Sequence, residues 1–84
     1  MTNATFTTIL TTTRINDYGN VITTSLIHRT AGLYAVGSAF KNGAEAWLVR
    51  VEQKGMNTFH GKTFADKLDA LDEYNRRVGN FVEV

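Results

Sequence analysis

The chain contains no cysteine, no proline, one tryptophan and only two histidines. Without cysteine there are no disulfides, no thiolate nucleophile and no sulfur ligand for a metal, and a cytoplasmic location is the expectation. Without proline, turns fall to glycine, asparagine and aspartate. No apolar run approaches the roughly 20 residues that cross a bilayer, so a membrane partner is not expected. The opening Met1-Thr2-Asn3-Ala4-Thr5-Phe6 lacks the basic start and apolar stretch of a secretory signal. The chain is also short, and its 84 residues are expected to form a single domain over 1–84. A domain of this size buries roughly 60–65 % of the surface its unfolded chain exposes, which leaves little volume for an enclosed active site.

What is present is an ordinary globular composition. Hydrophobic residues make up 43 % and charged residues 20 %, too apolar and too weakly charged for disorder. The net charge of +1 is unevenly spread. Residues 1–63 hold six basic side chains against three acidic ones, and residues 64–84 hold three against five. Such polarity orients a partner but lacks the clustered basic face that announces nucleic acid.

Residues 5–15 are rich in threonine and isoleucine, whose β-branching suits an extended backbone. The turn signal Asn16-Asp17-Tyr18-Gly19-Asn20 follows, and residues 21–29 predict a second strand, giving a hairpin. A third strand is predicted over 33–40, with Tyr34, Val36, Ser38 and Phe40 on one face. The small residues on its other face predict close approach by another element, the helix being the candidate. Asn42-Gly43 predicts the next hairpin turn. The clearest strand is 46–53, with Trp47, Val49 and Val51 on one face and Leu48, Arg50 and Glu52 on the other. Lys54-Gly55-Met56-Asn57 then turns the chain into a strand over 58–62.

A helix is predicted from Thr63, read as N-cap with Asp66 three residues on. Phe64, Leu68, Leu71, Tyr74 or Asn75, and Val78 recur at helical spacing. Asp72–Arg76 and Glu73–Arg77 form favourable pairs four apart, and Gly79 is a natural stop. Residues 80–84 predict a last short strand. The expected fold class is α+β: an antiparallel meander of four to six strands covered on one face by a single C-terminal amphipathic helix.

No constellation of side chains predicts catalysis, a cofactor or a metal. Gly61-Lys62-Thr63 has the ending of a phosphate-binding loop, but the preceding glycine, Gly55, stands one position too far away, and the strand-end reading is preferred. Free amides and Lys62 at the helix start leave room for an anion there. His28 and His60 lack ligand partners at metal spacing. Ser25 and Ser38 have no histidine and carboxylate placed beside them. The helix carboxylates are spaced as a solvated face. Arg50 and Lys54 read as outer-face charges, or as a binding strip with Arg14, Arg29 or Lys41. The threonine-rich first strand reads as an exposed β-former or as an edge open to a partner's strand.

Two resemblances bear on function. The stretch Trp47-Leu48-Val49-Arg50-Val51, Lys54-Gly55, Phe59, Gly61-Lys62-Thr63-Phe64, Ala70-Leu71 and Tyr74 resembles the arm-type DNA-binding domains of phage integrases and the plant ethylene-response-factor domain. Those families lay a three-stranded sheet, backed by one helix, in the DNA major groove. The likeness covers residues 46–78 and implies that Arg50, Lys54 and Lys62 lie nearest the DNA. Its departures are a weaker basic charge, an additional N-terminal hairpin and an acidic helix. The second resemblance, in size, layout and lack of catalytic motifs, is to small phage proteins that inhibit bacterial complexes, anti-CRISPR proteins among them. It is the leading expectation: a non-enzymatic module that binds a host protein or ribonucleoprotein complex, as monomer or homodimer, with Arg50, Lys54 and Tyr34 as contacts. Nucleic-acid binding through the sheet is the alternative.

Overall fold

The β-branched run at the head of the chain folds with residues 21–29 into an antiparallel hairpin. In the computed structural model, which describes residues 2–56 and 60–79, β1 (Phe6–Ile15) pairs with β2 (Val21–Arg29). Asn16 organises the turn, its Oδ1 accepting from the amides of Tyr18 at 2.9 Å and Asn20 at 3.0 Å. An irregularity between Thr8 and Leu10 shifts the register of β1. The strongest strand of the sequence, β5 (Ala46–Gln53), pairs antiparallel with β2 and places Val49 opposite Leu26. On its far side it pairs with β6 (His60–Phe64), and the sheet order is β1-β2-β5-β6.

Between β2 and β5 the chain leaves this sheet. The single strand expected over 33–40 is two strands, β3 (Gly32–Val36) and β4 (Ala39–Gly43), which form a sheet of their own, with one parallel bridge from Asn3 to Leu33. The turn is Gly37-Ser38, where Gly37 has φ +61°, the left-handed first position of a two-residue hairpin turn. Asn42-Gly43 is not a turn, because Asn42 pairs with Leu33 and Gly43 with Gly32 inside the ladder. Phe40 consequently lies opposite Ala35 and leaves the face of Tyr34 and Val36. The close approach expected from the helix comes from the N-terminal segment, where the Leu33 amide donates to Thr2 and the Ala4 amide to Leu33, both at 2.9 Å.

The helix α1 (Lys67–Val78) crosses one face of the larger sheet. Its N-cap is Asp66, whose Oδ1 accepts from the Leu68 amide at 2.8 Å; Thr63 belongs to β6 instead. Gly79 closes the helix at φ +77°, as the sequence predicts. Leu26, Val49, Ala70 and Tyr74 form the buried core, flanked by Leu10, Trp47, Phe64, Leu71 and Val78. Leu68, expected on the apolar stripe, is 71 % exposed, because at roughly 100° per residue it lies about 120° around the helix from Tyr74, on which the buried side centres. The fold is α+β: among the described residues, six strands form two antiparallel sheets with the helix packed on the larger one. The radius of gyration, 13.7 Å, exceeds the roughly 12 Å of a compact chain this long, and the molecule measures 45 × 30 × 15 Å. No helix among the described residues is long and apolar enough to cross a membrane. The short strand expected over 80–84, and positions 57–59 of the preceding turn and strand, lie outside the described residues.

Candidate functional site

The four residues singled out for binding do not converge. Arg50 points to the sheet face away from the helix, paired with Glu52 at 3.5 Å, the face its alternation with Trp47 dictates. Lys54 is exposed in the turn after β5, its amide donating to Val21. Lys62 stands opposite Val49 in the ladder and so shares the helix face, its ammonium 5.3 Å from the Phe64 ring. Arg50 and Lys62 therefore face opposite ways. Tyr34 is half-buried and anchors the second sheet: the Arg29 guanidinium lies 4.0 Å from its ring centroid, and Phe6 packs edge-on at 6.4 Å. Gly43 makes room for this stack, since a Cβ there would come within 2.8 Å of the Tyr34 ring.

Arg29 itself is buried and donates to the Ala44 carbonyl at 2.9 Å, while its Nε has no hydrogen-bond partner among the described residues. The face of Tyr34 offsets part of that desolvation through the ring's negative quadrupole. Sequence reading missed this role because a strand arginine ordinarily reads as solvated.

Beyond the stack, β3 and β4 project. Ala35, Val36, Ala39 and Phe40 are all exposed, Val36 by 53 % and Phe40 by 73 %. A two-stranded hairpin is marginal by itself, so one that exposes apolar side chains at its tip gains little from those residues in the free molecule.

A second feature lies on the helix side. An open groove of about 680 Å³ runs between the turn end of β1, the edge strand β6 and the last turns of α1. Ile22, Thr24 and Val51 line it from the sheet. Arg14 and Lys62 enter from the sheet's two outer strands, and Arg76 and Arg77 from the helix. Glu73, whose side chain is 3 % exposed, accepts from Arg76 and, at 2.9 Å, from Arg77. It is not part of a solvated carboxylate face, as its helix spacing suggested. The expected Glu73–Arg77 pair forms, while Arg76 turns to Glu73 at the three-residue spacing. The position of Glu73 beside Tyr74 and three after Ala70 is the signal for its burial. Lys62, expected at the helix start, lies in this groove because the capping residue is Asp66.

His60 bridges β6 and the helix, 2.9 Å from Arg77 Nη2 and 3.7 Å from Glu73. Burial is the larger cause that holds its pKa below the ordinary histidine value, and the Arg77 and Lys62 charges add to it. Above that ordinary value of about 6.5 the ring is neutral both folded and unfolded. As pH falls through it, the unfolded chain takes up a proton that the folded ring resists, so stability declines until the folded pKa is reached. The urea midpoint is expected to fall between pH 7.5 and 5.5 in the native protein and to fall less in His60→Gln. An equal decline in both proteins would remove His60 as its source.

The other histidine, His28, is held by Glu45 at 2.8 Å and stacks against Trp47. No group of three or more metal-ligating side chains occurs among the described residues. No protein-family model, curated protein or solved structure matches this chain.

Proposed function

We propose that the chain is a non-enzymatic protein-binding module, an inhibitor of a bacterial defence complex of the anti-CRISPR kind. The observation that carries the reading is the projecting β3–β4 hairpin, with Val36 and Phe40 uncovered at its tip. A partner with an apolar groove buries these side chains and supplies the cover the hairpin lacks. The groups that acid–base chemistry would draw on are held by partners instead: His28 by a hydrogen bond with Glu45, and Glu73 by two arginines. The reading of the sheet as a DNA-binding face has less support. Its outer face carries Arg50, already paired with Glu52, and Lys62 faces the other way, whereas phosphate recognition relies on several convergent cations.

The test is expression in a bacterium with an active CRISPR system challenged by a targeted phage. The native protein is expected to raise plating efficiency, and the Val36→Asp/Phe40→Asp double variant to lose that effect. Both positions are exposed, so the variant keeps its fold. Loss of two central apolar contacts weakens affinity by about 30-fold or more, which calorimetry against the isolated partner would read. Unchanged plating removes the defence-complex reading. A double variant that still retains a stoichiometric partner removes the hairpin as the contact surface.

A further inference from the structure

We infer that the groove between β1, β6 and the C-terminal turns of α1 binds a small phosphorylated anion, of the size of a nucleotide or sugar phosphate. Its volume, about 680 Å³, falls within the range of ligand clefts. Four cations line it against one carboxylate, an excess of three positive charges in one concavity. Glu73 is already satisfied by Arg76 and Arg77, and neither cation from the sheet has an acidic partner among the described residues. Arg14 and Lys62 reach the groove from opposite edges of the sheet, so the fold itself brings these like charges together. Like charges gathered in a cleft repel one another and focus the field on an incoming anion.

The chemistry favours phosphate over a single carboxylate. A phosphate ester carries up to two charges and three free oxygens, and can accept from guanidinium forks on the helix while facing Arg14 and Lys62 on the sheet. The groups facing His60 complete the argument: Arg77 and Glu73 from the helix, Lys62 from its own strand, and Arg14 across the groove. Burial is the larger cause that keeps this ring neutral, and the Arg77 and Lys62 charges add to it; an anion between those cations offsets their part, so binding is accompanied by proton uptake.

The site uses none of the hairpin residues, so its test is independent of the protein-partner reading. Inorganic pyrophosphate, titrated calorimetrically at constant ionic strength, is expected to bind the native protein with a heat that depends on buffer ionisation at pH 6. His60→Gln is expected to bind without that dependence. Arg14→Gln/Lys62→Gln, which breaks no ion pair of the fold, is expected to bind about 10- to 100-fold more weakly with an unchanged Tm in the absence of anion. Citrate at equal charge tests the polycarboxylate alternative, and a single-stranded oligonucleotide tests a nucleic-acid backbone. Pyrophosphate binding that is absent at millimolar concentration, undiminished in the double variant, matched by citrate or surpassed by the oligonucleotide overturns the assignment.

Discussion

Replacing Tyr74 with alanine is expected to bring the protein close to unfolding at room temperature. Tyr74 is 1 % exposed and belongs to the core with Leu26, Val49 and Ala70. Its hydroxyl hydrogen-bonds the Thr12 hydroxyl, so one side chain ties the helix to both the core and the first strand. Truncating a large buried aromatic costs about 3–5 kcal/mol, from lost transfer energy and the cavity left behind. A chain of this length has a total stability of roughly 4–13 kcal/mol. The loss is therefore a large share of the whole, and Tm should fall by about 15–30 °C. Tyr74→Phe separates the two contributions: it keeps the ring and removes one hydrogen bond, at a cost of about 1 kcal/mol. Thermal and urea unfolding followed by circular dichroism reads both. A loss below about 1 kcal/mol for the alanine variant would show that the helix is held elsewhere.

The second large effect is local. Gly32 has φ +144°, and a Cβ there would lie 2.6 Å from the Thr2 carbonyl oxygen and 2.8 Å from the Ala4 amide nitrogen. Both are backbone atoms that cannot rotate away. Gly32→Ala should therefore break the hydrogen bonds joining the N-terminal segment to Leu33. Backbone strain of this kind costs about 1–3 kcal/mol. Because β3 and β4 form a sheet separate from the larger one, the loss stays in the arm and the core sheet keeps its register. Hydrogen exchange at the Ala4 and Leu33 amides should accelerate by roughly 10- to 100-fold, while the amides of Leu26 and Val49 keep their protection. Uniform acceleration across the chain would mean that arm and core unfold as one unit.

These two residues also mark where sequence reading succeeds and where it stops. The hairpin of β1 and β2, the faces of β5 and the helix end at Gly79 were legible because each rests on local rules: side-chain alternation, β-branching and a left-handed cap. Gly37-Ser38 was equally local in kind, but the apolar residues on both sides made 33–40 look continuous, and the adjacent Asn42-Gly43 offered the more familiar turn pair. Thr63 outcompeted Asp66 as a cap because both are good N-caps, and tertiary pairing with Leu48 decides that Thr63 is strand. The groove was not legible at all. Arg14 and Lys62 are 48 positions apart in the sequence and meet Arg76 and Arg77 only once sheet order and helix rotation are known. Burial of Arg29 beneath Tyr34 was hidden for the same reason, since no spacing along one strand reveals a contact from another sheet.

Arg29 and Ala46 face each other across the ladder as the last residue of β2 and the first of β5. The chain thus departs from the main sheet and returns to it at adjacent points, with the whole arm lying between. Changes in the length or tip chemistry of that excursion leave the pairing of the two central strands untouched, provided the anchors at Arg29, Gly32 and Tyr34 are kept. Under the proposed function, exchanging the arm would change the partner while the body that carries it stays the same.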